Sequence, residues 1–320
     1  MSNEMSRRDL VLSGVAVAAG LMPTSVPSEQ DVLRRPMPMR TLGRTGARVS
    51  IIGFGSAPLG HSFQTQEVFD RVVGEALDLG INYLDTATTY DVAQERLGPI
   101  VTKRRRGLFI ATKTRGRTKD QALKTVEESL RLLQTDHVDL VHLHNIGDLD
   151  VERLLDEDSP LRGLQEARRR GWLRFIGASG HQRVEKMAAA AKTGAIDVIM
   201  PALNFVDQHT YAYDARVLPE ARKRRLGIVA MKVLGGVPNF NYRVPVPCLA
   251  PREHVDNAIR YALGLPGVCA AVIGFTSVEQ VRQAVQVAKS FKPLSSEEAG
   301  ELTAAGKRLS ESWAQHMGPV

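Results

Sequence analysis

The stretch NYLDTATTYDVAQERLG, residues 82–98, turns a short apolar strand directly into a polar loop and then into a helix. The strand ends at Asp85, and helical periodicity begins near Ala93. In α/β proteins, the loop that joins a strand to the next helix carries many of the binding and catalytic side chains. The stretch therefore predicts one strand-loop-helix unit of an α/β fold, with chemistry in its loop.

The alternation of strand and helix repeats along most of the chain with a short period. Strands are predicted at residues 51–53, 83–85, 109–113, 138–144, 175–179, 198–203, 228–233 and 271–274. Helices are predicted at residues 67–79, 93–102, 119–132, 160–170, 184–192, 215–225, 252–263 and 278–289, with an extra one at 296–310. Two short strands around a glycine-bounded turn at 39–50 predict a hairpin before the first unit. The count predicts a (β/α)8 TIM barrel with an N-terminal β-hairpin and an extra C-terminal helix; an open doubly wound sheet is the alternative.

The glycine-rich run IGFGSAPLG, residues 52–60, could be mistaken for a dinucleotide-binding loop of the Rossmann type. It lacks the third glycine of that motif, and Pro58 stands where the helix should open. Helical periodicity starts only near Gln66. We therefore interpret these glycines as positions where the backbone can approach a ligand at the mouth of the barrel.

Several predicted strands end in residues that could carry chemistry: Asp85, Lys113, His144, Ser179, Lys232 and Gly274. In a TIM barrel the active site lies at the carboxyl ends of the strands, so these residues should meet. With Tyr90, they resemble the aldo-keto reductase family, in which a strand ends in Asp-Thr-Ala, a Tyr follows, and the next two strands end in Lys and His. The resemblance spans roughly residues 40–289. It implies NAD(P)H-dependent reduction of an aldehyde or ketone to an alcohol, with a catalytic tetrad of Asp85, Tyr90, Lys113 and His144.

The residue types of this tetrad suit general acid catalysis. A phenol with a pKa of about 10 is a weak acid at neutral pH, and a neighbouring ammonium lowers that pKa by favouring the phenolate. Asp85 would hold Lys113 charged and in place. Tyr90 would donate its proton to the carbonyl oxygen as hydride reaches the carbon, while His144 orients that oxygen.

His142 shares a strand face with His144 and could be mistaken for its partner in a metal pair. The resemblance places the catalytic histidine five residues after Asp139, which selects His144. His142 is then interpreted as an interior residue. No third ligand of suitable spacing appears, so no metal site is predicted.

The resemblance also implies a nicotinamide cofactor, NADP or alternatively NAD. The implied cofactor-binding residues are Gly55, Ser56, Asp85, Ser179, Met231, Lys232, Leu234, Gly235, Phe275, Thr276, Ser277 and Gln280. The sequence departs from the family pattern where Gly180 replaces an Asn, Met200 a Gln, Met231 a nicotinamide-stacking aromatic, Gln280 an Arg and Ala284 an Asn. Weaker stacking and reduced selectivity for the 2'-phosphate are therefore expected. Two cysteines are too few for the iron-sulfur segment of some members.

The N-terminus carries a pair of arginines, Arg7 and Arg8, followed by an apolar run that ends at Met22. That run is too short to span a bilayer as a helix and suits the core of a signal peptide. It resembles a twin-arginine export signal; an amphipathic or disordered tail is the alternative. The resemblance implies a periplasmic or otherwise extracytoplasmic protein with no stable membrane span once the leader is removed, or a cytoplasmic one if the signal does not function. Residues 1–38 are predicted to be a leader and linker without fold, and residues 39–320 the barrel.

The formal net charge of +7 could suggest a nucleic-acid partner. The basic runs at 103–106, 168–170 and 222–225, however, each close a predicted helix shortly before a glycine. Cations there complement the helix dipole, the glycine suits a left-handed cap, and no aromatic residues interleave the runs for base stacking. We therefore expect a small-molecule carbonyl substrate and no nucleic acid. Cys248 and Cys269 are expected to be buried thiols.

Two further functions fit the same fold. One is a nicotinamide-binding regulatory subunit with little turnover, as the potassium-channel beta subunits of the family suggest. The other is an aldolase barrel in which Lys113 or Lys232 forms a Schiff base. The loops at 145–159 and 237–251 are expected to set substrate specificity.

Overall fold

The structure is a computed structural model that describes residues 28–237 and 250–320. Its strands are β1 Met39–Thr41, β2 Arg48–Ser50, β3 Ile52–Gly55, β4 Tyr83–Asp85, β5 Phe109–Thr114, β6 Val138–Leu143, β7 Leu173–Gly180, β8 Val198–Pro201, β9 Gly227–Ala230 and β10 Val268–Gly274. Strands β3 to β10 close into one barrel in the order β10-β3-β4-β5-β6-β7-β8-β9, and neighbours are parallel. The predicted (β/α)8 barrel is confirmed.

Helices flank the barrel strands, as the sequence pattern predicted. They are α1 Glu29–Arg34, α2 Gln66–Asp78, α3 Ala93–Arg104, α4 Lys119–Leu132, α5 Pro160–Arg169, α6 Val184–Lys192, α7 Tyr213–Arg216, α8 Leu218–Lys223, α9 Val255–Gly264, α10 Val278–Lys289 and α11 Ser296–Trp313. Helices α1, α2, α4, α5, α10 and α11 begin after a Ser or Thr whose side chain accepts a backbone N–H of the first turn. Among the described residues, no helix is long and apolar enough to cross a membrane.

The β1–β2 hairpin closes one end of the barrel. Its Leu42 and Val49 are fully buried and belong to the same apolar cluster as Tyr83, Phe109 and Val198, which come from the barrel strands. Burying these side chains stabilises the fold by roughly 1.5–3 kcal/mol each. The closed end leaves the carboxyl ends of the strands as the open end of the barrel.

The predicted absence of fold up to Pro38 is wrong from residue 28 onward. Helix α1 begins with a capping box between Ser28 and Asp31, and its Val32 is buried. Lys289 donates from its Nζ to the carbonyl of Leu33 at 2.7 Å. A six-residue helix is not stable alone. Its formation depends on packing against α10, which the local sequence does not reveal.

The glycine caps after the basic runs are confirmed at two places and wrong at the third. Gly107 and Gly171 adopt left-handed φ values of 88° and 77° after α3 and α5. After α8, Arg225 itself takes the left-handed conformation with φ 54°, and Gly227 lies in β9. A Cβ on Gly227 would meet Leu42 Cδ1 at 2.7 Å. The hairpin at the closed end, not a turn, therefore requires this glycine.

The helix predicted at 215–225 is two short helices, α7 and α8, with Val217 between them. Pro219 accounts for the break, because it has no N–H to continue the hydrogen bonds of a preceding turn. Strand β9 also ends earlier than predicted, since the backbone turns at Lys232, whose φ is 53°. Cys269 is a buried free thiol, as expected, whereas Cys248 lies outside the described residues.

Candidate active site

The four tetrad residues lie together at the open end of the barrel. Lys113 Nζ is 2.5 Å from Asp85 Oδ1 and donates to the carbonyl of Thr86 at 2.9 Å. The same ammonium lies 4.7 Å from the centre of the Tyr90 ring. The rings of Tyr90 and His144 are 6.2 Å apart and meet edge to face at 87°. The structure thus places a phenol between an ammonium and an imidazole.

Burial shapes the charges of this cluster. Desolvation raises the pKa of Asp85, although the ammonium of Lys113 opposes that effect. The pKa of His144 lies well below its usual value because of burial, with Lys113 and Arg115 adding to the shift. His144 is therefore neutral at pH 7 and can offer one N–H to an oxygen atom without carrying a charge.

A second loop holds Tyr90 in place. The backbone N–H of Tyr90 donates to the carbonyl of Ala87 at 3.1 Å, and Val92 donates to the carbonyl of Gly60 at 3.0 Å. A Cβ on Gly60 would come within 2.5 Å of the Tyr90 carbonyl oxygen, so only glycine allows the two loops to touch. Arg96 fixes the loop that contains Gly60, because its guanidinium donates hydrogen bonds to carbonyls of that loop, among them the carbonyl of Leu59 at 2.6 Å.

His142 lies in the barrel interior, as predicted. Its side chain is fully buried, and burial together with the ammonium of Lys113 lowers the pKa of His142 to about 3. Gly177 on the neighbouring strand β7 must lack a side chain, because a Cβ there would overlap His142 Nδ1. Packing against His142 thus explains the glycine that begins the motif at 177–180.

An open cleft of about 550 Å³ lies above the tetrad. The tetrad members that line it are Asp85, Tyr90 and His144. Of the other residues predicted to bind a cofactor, Gly55, Met231, Lys232 and Leu234 line the same cleft. Its wall is completed by residues that include Pro58, His61, Arg115, Asn145, His181, Gln182, Met200, Gly274 and Met317. The cleft therefore connects the tetrad with the loops after β9 and β10.

Comparison with known proteins identifies the family. The model of the aldo/keto reductase family matches residues 51–242. This chain belongs to the aldo/keto reductase family. Among its relatives, L-galactose dehydrogenase of Arabidopsis thaliana is 28% identical over 290 residues, 80% of this chain and 89% of that protein. An uncharacterised oxidoreductase of Bacillus subtilis is 25% identical over 294 residues, 79% of this chain and 92% of that one.

Solved structures agree with the family assignment. The holo form of an aldo-keto reductase from Bacillus halodurans superposes with a TM-score of 0.68 and 25% identity, covering 84% of this chain and 96% of that chain. An aldo-keto reductase from Klebsiella pneumoniae in complex with NADPH has the same fold, with a TM-score of 0.67 and 21% identity over 84% of this chain and 95% of that one. The chain is an oxidoreductase of a family that uses nicotinamide cofactors.

The residues of this aldo/keto reductase fit the nicotinamide end of such a cofactor. Asp85 Oδ2 is buried at the cleft and has no hydrogen-bond partner within the described ranges. A carboxylate oxygen in that position suits a hydroxyl donor, such as those of a ribose. Met231 and Leu234 offer apolar surface nearby. Within the same ranges, no group of three or more His, Cys, Asp or Glu side chains is arranged to hold a metal ion.

Other predicted cofactor residues do not reach the cleft surface. Ser56 and Ser179 are buried, and the Ser179 hydroxyl lies 3.4 Å from the backbone nitrogen of Asn145. Gly235 forms a turn with φ 77°. Phe275 is buried against Phe54, with ring centres 5.7 Å apart. These residues shape the backbone of the cleft instead of lining it.

The start of helix α10 is predicted to bind the adenosine phosphate. Some of the backbone N–H groups there already donate hydrogen bonds to nearby side chains. Gln280 Oε1 accepts from the N–H of Thr276 at 2.8 Å and from its hydroxyl at 3.1 Å. Ser277 caps α10 by accepting from the N–H of Gln280 at 3.4 Å. A phosphate would have to displace the Gln280 amide from Thr276. The side chain that replaces the family's arginine is thus engaged within its own loop.

The structure also reveals cleft residues that the sequence analysis missed. Arg115 and His181 each stand two positions beyond a predicted site residue, Lys113 and Ser179. Side chains two positions apart along a strand share a face, so this spacing could have revealed them. Met317 had no such signal. Its N–H donates to the hydroxyl of Tyr211 at 3.1 Å, a contact between residues 106 positions apart.

Acid is expected to destabilise the fold partly through His142. An unfolded histidine takes up a proton near pH 6.5, whereas folded His142 stays neutral down to about 3. Between these two pKa values only the unfolded state binds the extra proton. His142 therefore lowers the free energy of unfolding by roughly 1.4 kcal/mol for each unit by which the pH falls through this range. Urea unfolding measures this effect. Between about pH 7 and pH 5 the free energy of unfolding should fall by roughly 2 kcal/mol more in the wild type than in His142→Gln. Equal losses in the two proteins would contradict the prediction.

Proposed function

We propose that this protein is an NAD(P)H-dependent reductase that converts an aldehyde or ketone to an alcohol. The observation that carries the proposal is the cluster of Asp85, Tyr90, Lys113 and His144 beside one cleft. A bound nicotinamide would supply the hydride to the carbonyl carbon. The residues of the chain supply the proton and hold the carbonyl oxygen.

In this proposal Tyr90 is the general acid. The ammonium of Lys113, 4.7 Å from the ring, favours the phenolate and so eases proton release. Asp85 keeps that ammonium charged and oriented through the 2.5 Å contact. Neutral His144 offers an N–H to the carbonyl oxygen, which gains negative charge until the proton from Tyr90 arrives.

The proposed cofactor is NADP, with NAD as an alternative. The structure from Klebsiella pneumoniae holds NADPH on the same fold. The proposed nicotinamide contacts that line the cleft are Gly55, Asp85, Met231, Lys232 and Leu234. Ser56, Ser179, Gly235 and Phe275 are proposed to support the bound cofactor through the backbone that they shape, and Thr276, Ser277 and Gln280 to hold its adenosine end. Preference for NADPH is proposed to be modest, because Gln280 cannot make the bidentate ionic contact that an arginine makes with a phosphate.

The test is single-turnover oxidation of NADPH with an aromatic aldehyde, repeated with NADH. Fluorescence titration of both nucleotides measures their affinities. A preference for NADPH beyond roughly a thousandfold, about 4 kcal/mol, would show that another cation binds the 2'-phosphate. Tight nucleotide binding without turnover on any carbonyl would instead favour the regulatory subunit. Borohydride trapping of substrate on Lys113 or Lys232 would favour the aldolase.

We further propose that the protein is exported through its twin-arginine signal and acts outside the cytoplasm on a small carbonyl substrate. Arg7 and Arg8 lie outside the described residues, so the support is the sequence of the leader alone. Because that pathway carries folded proteins, the cofactor would be loaded before export.

Replacing both Arg7 and Arg8 by Lys should leave the protein inside the cell. The double substitution keeps the charge of the leader and removes only the arginine pair. Cell fractionation followed by immunoblotting measures the distribution. Unchanged fractionation would remove the export proposal and favour a cytoplasmic protein.

A further inference from the structure

The charged side chains that line the cleft do not balance one another. Among the described lining residues, the carboxylate of Asp85 is the only acidic group, and it is already paired with Lys113. The lysine and arginine side chains of the lining are Lys232 and Arg115. The cleft is therefore a positively charged concavity, which attracts anions.

Arg115 is the cation on the substrate side. It follows β5, two residues beyond Lys113, whereas Lys232 follows β9. In the barrel order β5 and β9 are separated by β6, β7 and β8 on one side and by β4, β3 and β10 on the other, so they lie across the barrel. The cofactor residues proposed above follow mainly β9, β10 and β3. Arg115 thus faces the other half of the cleft, near His144.

The guanidinium of Arg115 is exposed and uncommitted. Across residues 28–237 and 250–320, it makes no hydrogen bond, ion pair or ring contact. Arg117, two residues later, is different, because its guanidinium donates to the carbonyl of Asp148. The segment 238–249, PNFNYRVPVPCL, contains no acidic residue that could pair with Arg115.

The charge of Arg115 acts on the histidines of the cleft. Its guanidinium contributes to lowering the pKa of both His144 and His181, which line the same cleft. Because Tyr90, Arg115 and His144 line the same cleft, a substrate whose carbonyl oxygen meets Tyr90 and His144 can place a second group against Arg115. A planar guanidinium binds a carboxylate through two parallel hydrogen bonds, which also fixes the orientation of the bound molecule.

We propose that Arg115 binds a carboxylate carried by the substrate, so that the enzyme prefers aldehydes or ketones bearing a carboxylate over neutral ones. This inference rests on the proposed reductase function and names its substrate class. His181, which is neutral because burial lowers its pKa well below the usual value, leaves Arg115 as the charged group on that side.

The test compares 4-carboxybenzaldehyde with methyl 4-formylbenzoate, which has the same ring and reactive group without the charge. In the wild type, kcat/KM should be at least about tenfold higher for the carboxylate, mainly through a lower KM. In Arg115→Met this ratio should fall to about one, and in Arg115→Lys it should lie between, because lysine keeps the charge without the paired donors. Added salt should reduce the wild-type ratio, since the guanidinium is exposed.

Arg48→Met is the matched control. Arg48 is also exposed, but it lies on β2 in the hairpin at the closed end of the barrel. The substitution removes the same charge from the protein without touching the cleft. It should keep the wild-type ratio, which separates a local contact from a general effect of net charge.

Two results would overturn the inference while leaving the reductase intact. One is a wild type that reduces the ester as well as the carboxylate; the other is an Arg115→Met protein that keeps the wild-type ratio. If neither aldehyde is turned over, the reductase proposal fails separately. Calorimetric titration of 4-carboxybenzaldehyde then decides: binding that is lost in Arg115→Met supports the carboxylate site, and equal affinities for the two proteins reject it.

Discussion

Tyr90→Phe is expected to slow single-turnover oxidation of NADPH by roughly 10²–10⁴-fold, or about 3–5 kcal/mol of barrier. The ring remains, so its edge-to-face contact with His144 and its contact with the Lys113 ammonium should be kept. The hydroxyl that donates the proton is lost. Fold and nucleotide affinity should therefore stay close to those of the wild type.

Tyr83→Phe is the matched control for this prediction. Tyr83 is fully buried on β4, two residues before Asp85, and its hydroxyl has no hydrogen-bond partner among the described residues. Losing that hydroxyl should leave the rate unchanged. Wild-type rates in Tyr90→Phe would show that another group donates the proton and that the tetrad assignment is wrong.

Lys113→Met is expected to lower turnover about as strongly and also to destabilise the fold. Only 1% of the Lys113 side chain is exposed, and its removal leaves the carboxylate of Asp85 buried without its counterion. Leaving one partner of a buried pair alone typically destabilises a protein by about 3–5 kcal/mol. The basic limb of the pH-rate profile should shift to higher pH as well, because Tyr90 loses the charge that favours its ionised form.

The double variant Asp85→Asn/Lys113→Met separates the two effects. It removes both charges of the buried pair, so most of the lost stability should return while turnover stays low. Asp85→Asn alone should slow turnover less than Lys113→Met, provided that Lys113 stays protonated. Urea unfolding and single-turnover rates measure both quantities. A double variant as unstable as Lys113→Met would show that the pair does not account for the instability.

The instability of Lys113→Met should also depend on pH. Burial raises the folded-state pKa of Asp85, and removing Lys113 removes the main opposing effect. A carboxyl group whose folded pKa is raised destabilises the fold as pH rises through the window above its unfolded value near 4. The free energy of unfolding of Lys113→Met should therefore lie closer to that of the wild type at about pH 5 than at about pH 7. Lys289→Met, which breaks only the hydrogen bond to the Leu33 carbonyl, is the control and should lack this dependence.

The barrel and the meeting of the tetrad residues were predictable because both follow from local patterns. A strand that ends in Asp85 and strands that carry Lys113 and His144 at their ends can be recognised one at a time. Parallel strands closed into a barrel bring their carboxyl ends together, so topology alone places these side chains at one site. Arg115 and His181 follow the same rule of alternating faces.

The incorrect predictions arose where packing overrides local pattern. Helix α1 is too short to form without α10, so its residues looked like a linker. Gly227 was predicted to cap a helix, but it is required because Leu42 of the hairpin packs where a side chain would lie. In both cases the deciding neighbour lies far away along the chain.

The order of strands and helices, the end of the barrel that carries the chemistry and the residue types gathered there follow from the amino-acid sequence. Which side chains face the cleft, and what charge they carry, depend on the packing of the folded chain. Met317 joins the cleft through Tyr211, and Phe275 is turned away against Phe54. The neutral state of His144 comes from its burial among cations. Periodicity along a chain reports the local backbone and its buried face, whereas desolvation and long-range contacts exist only once distant segments have packed together.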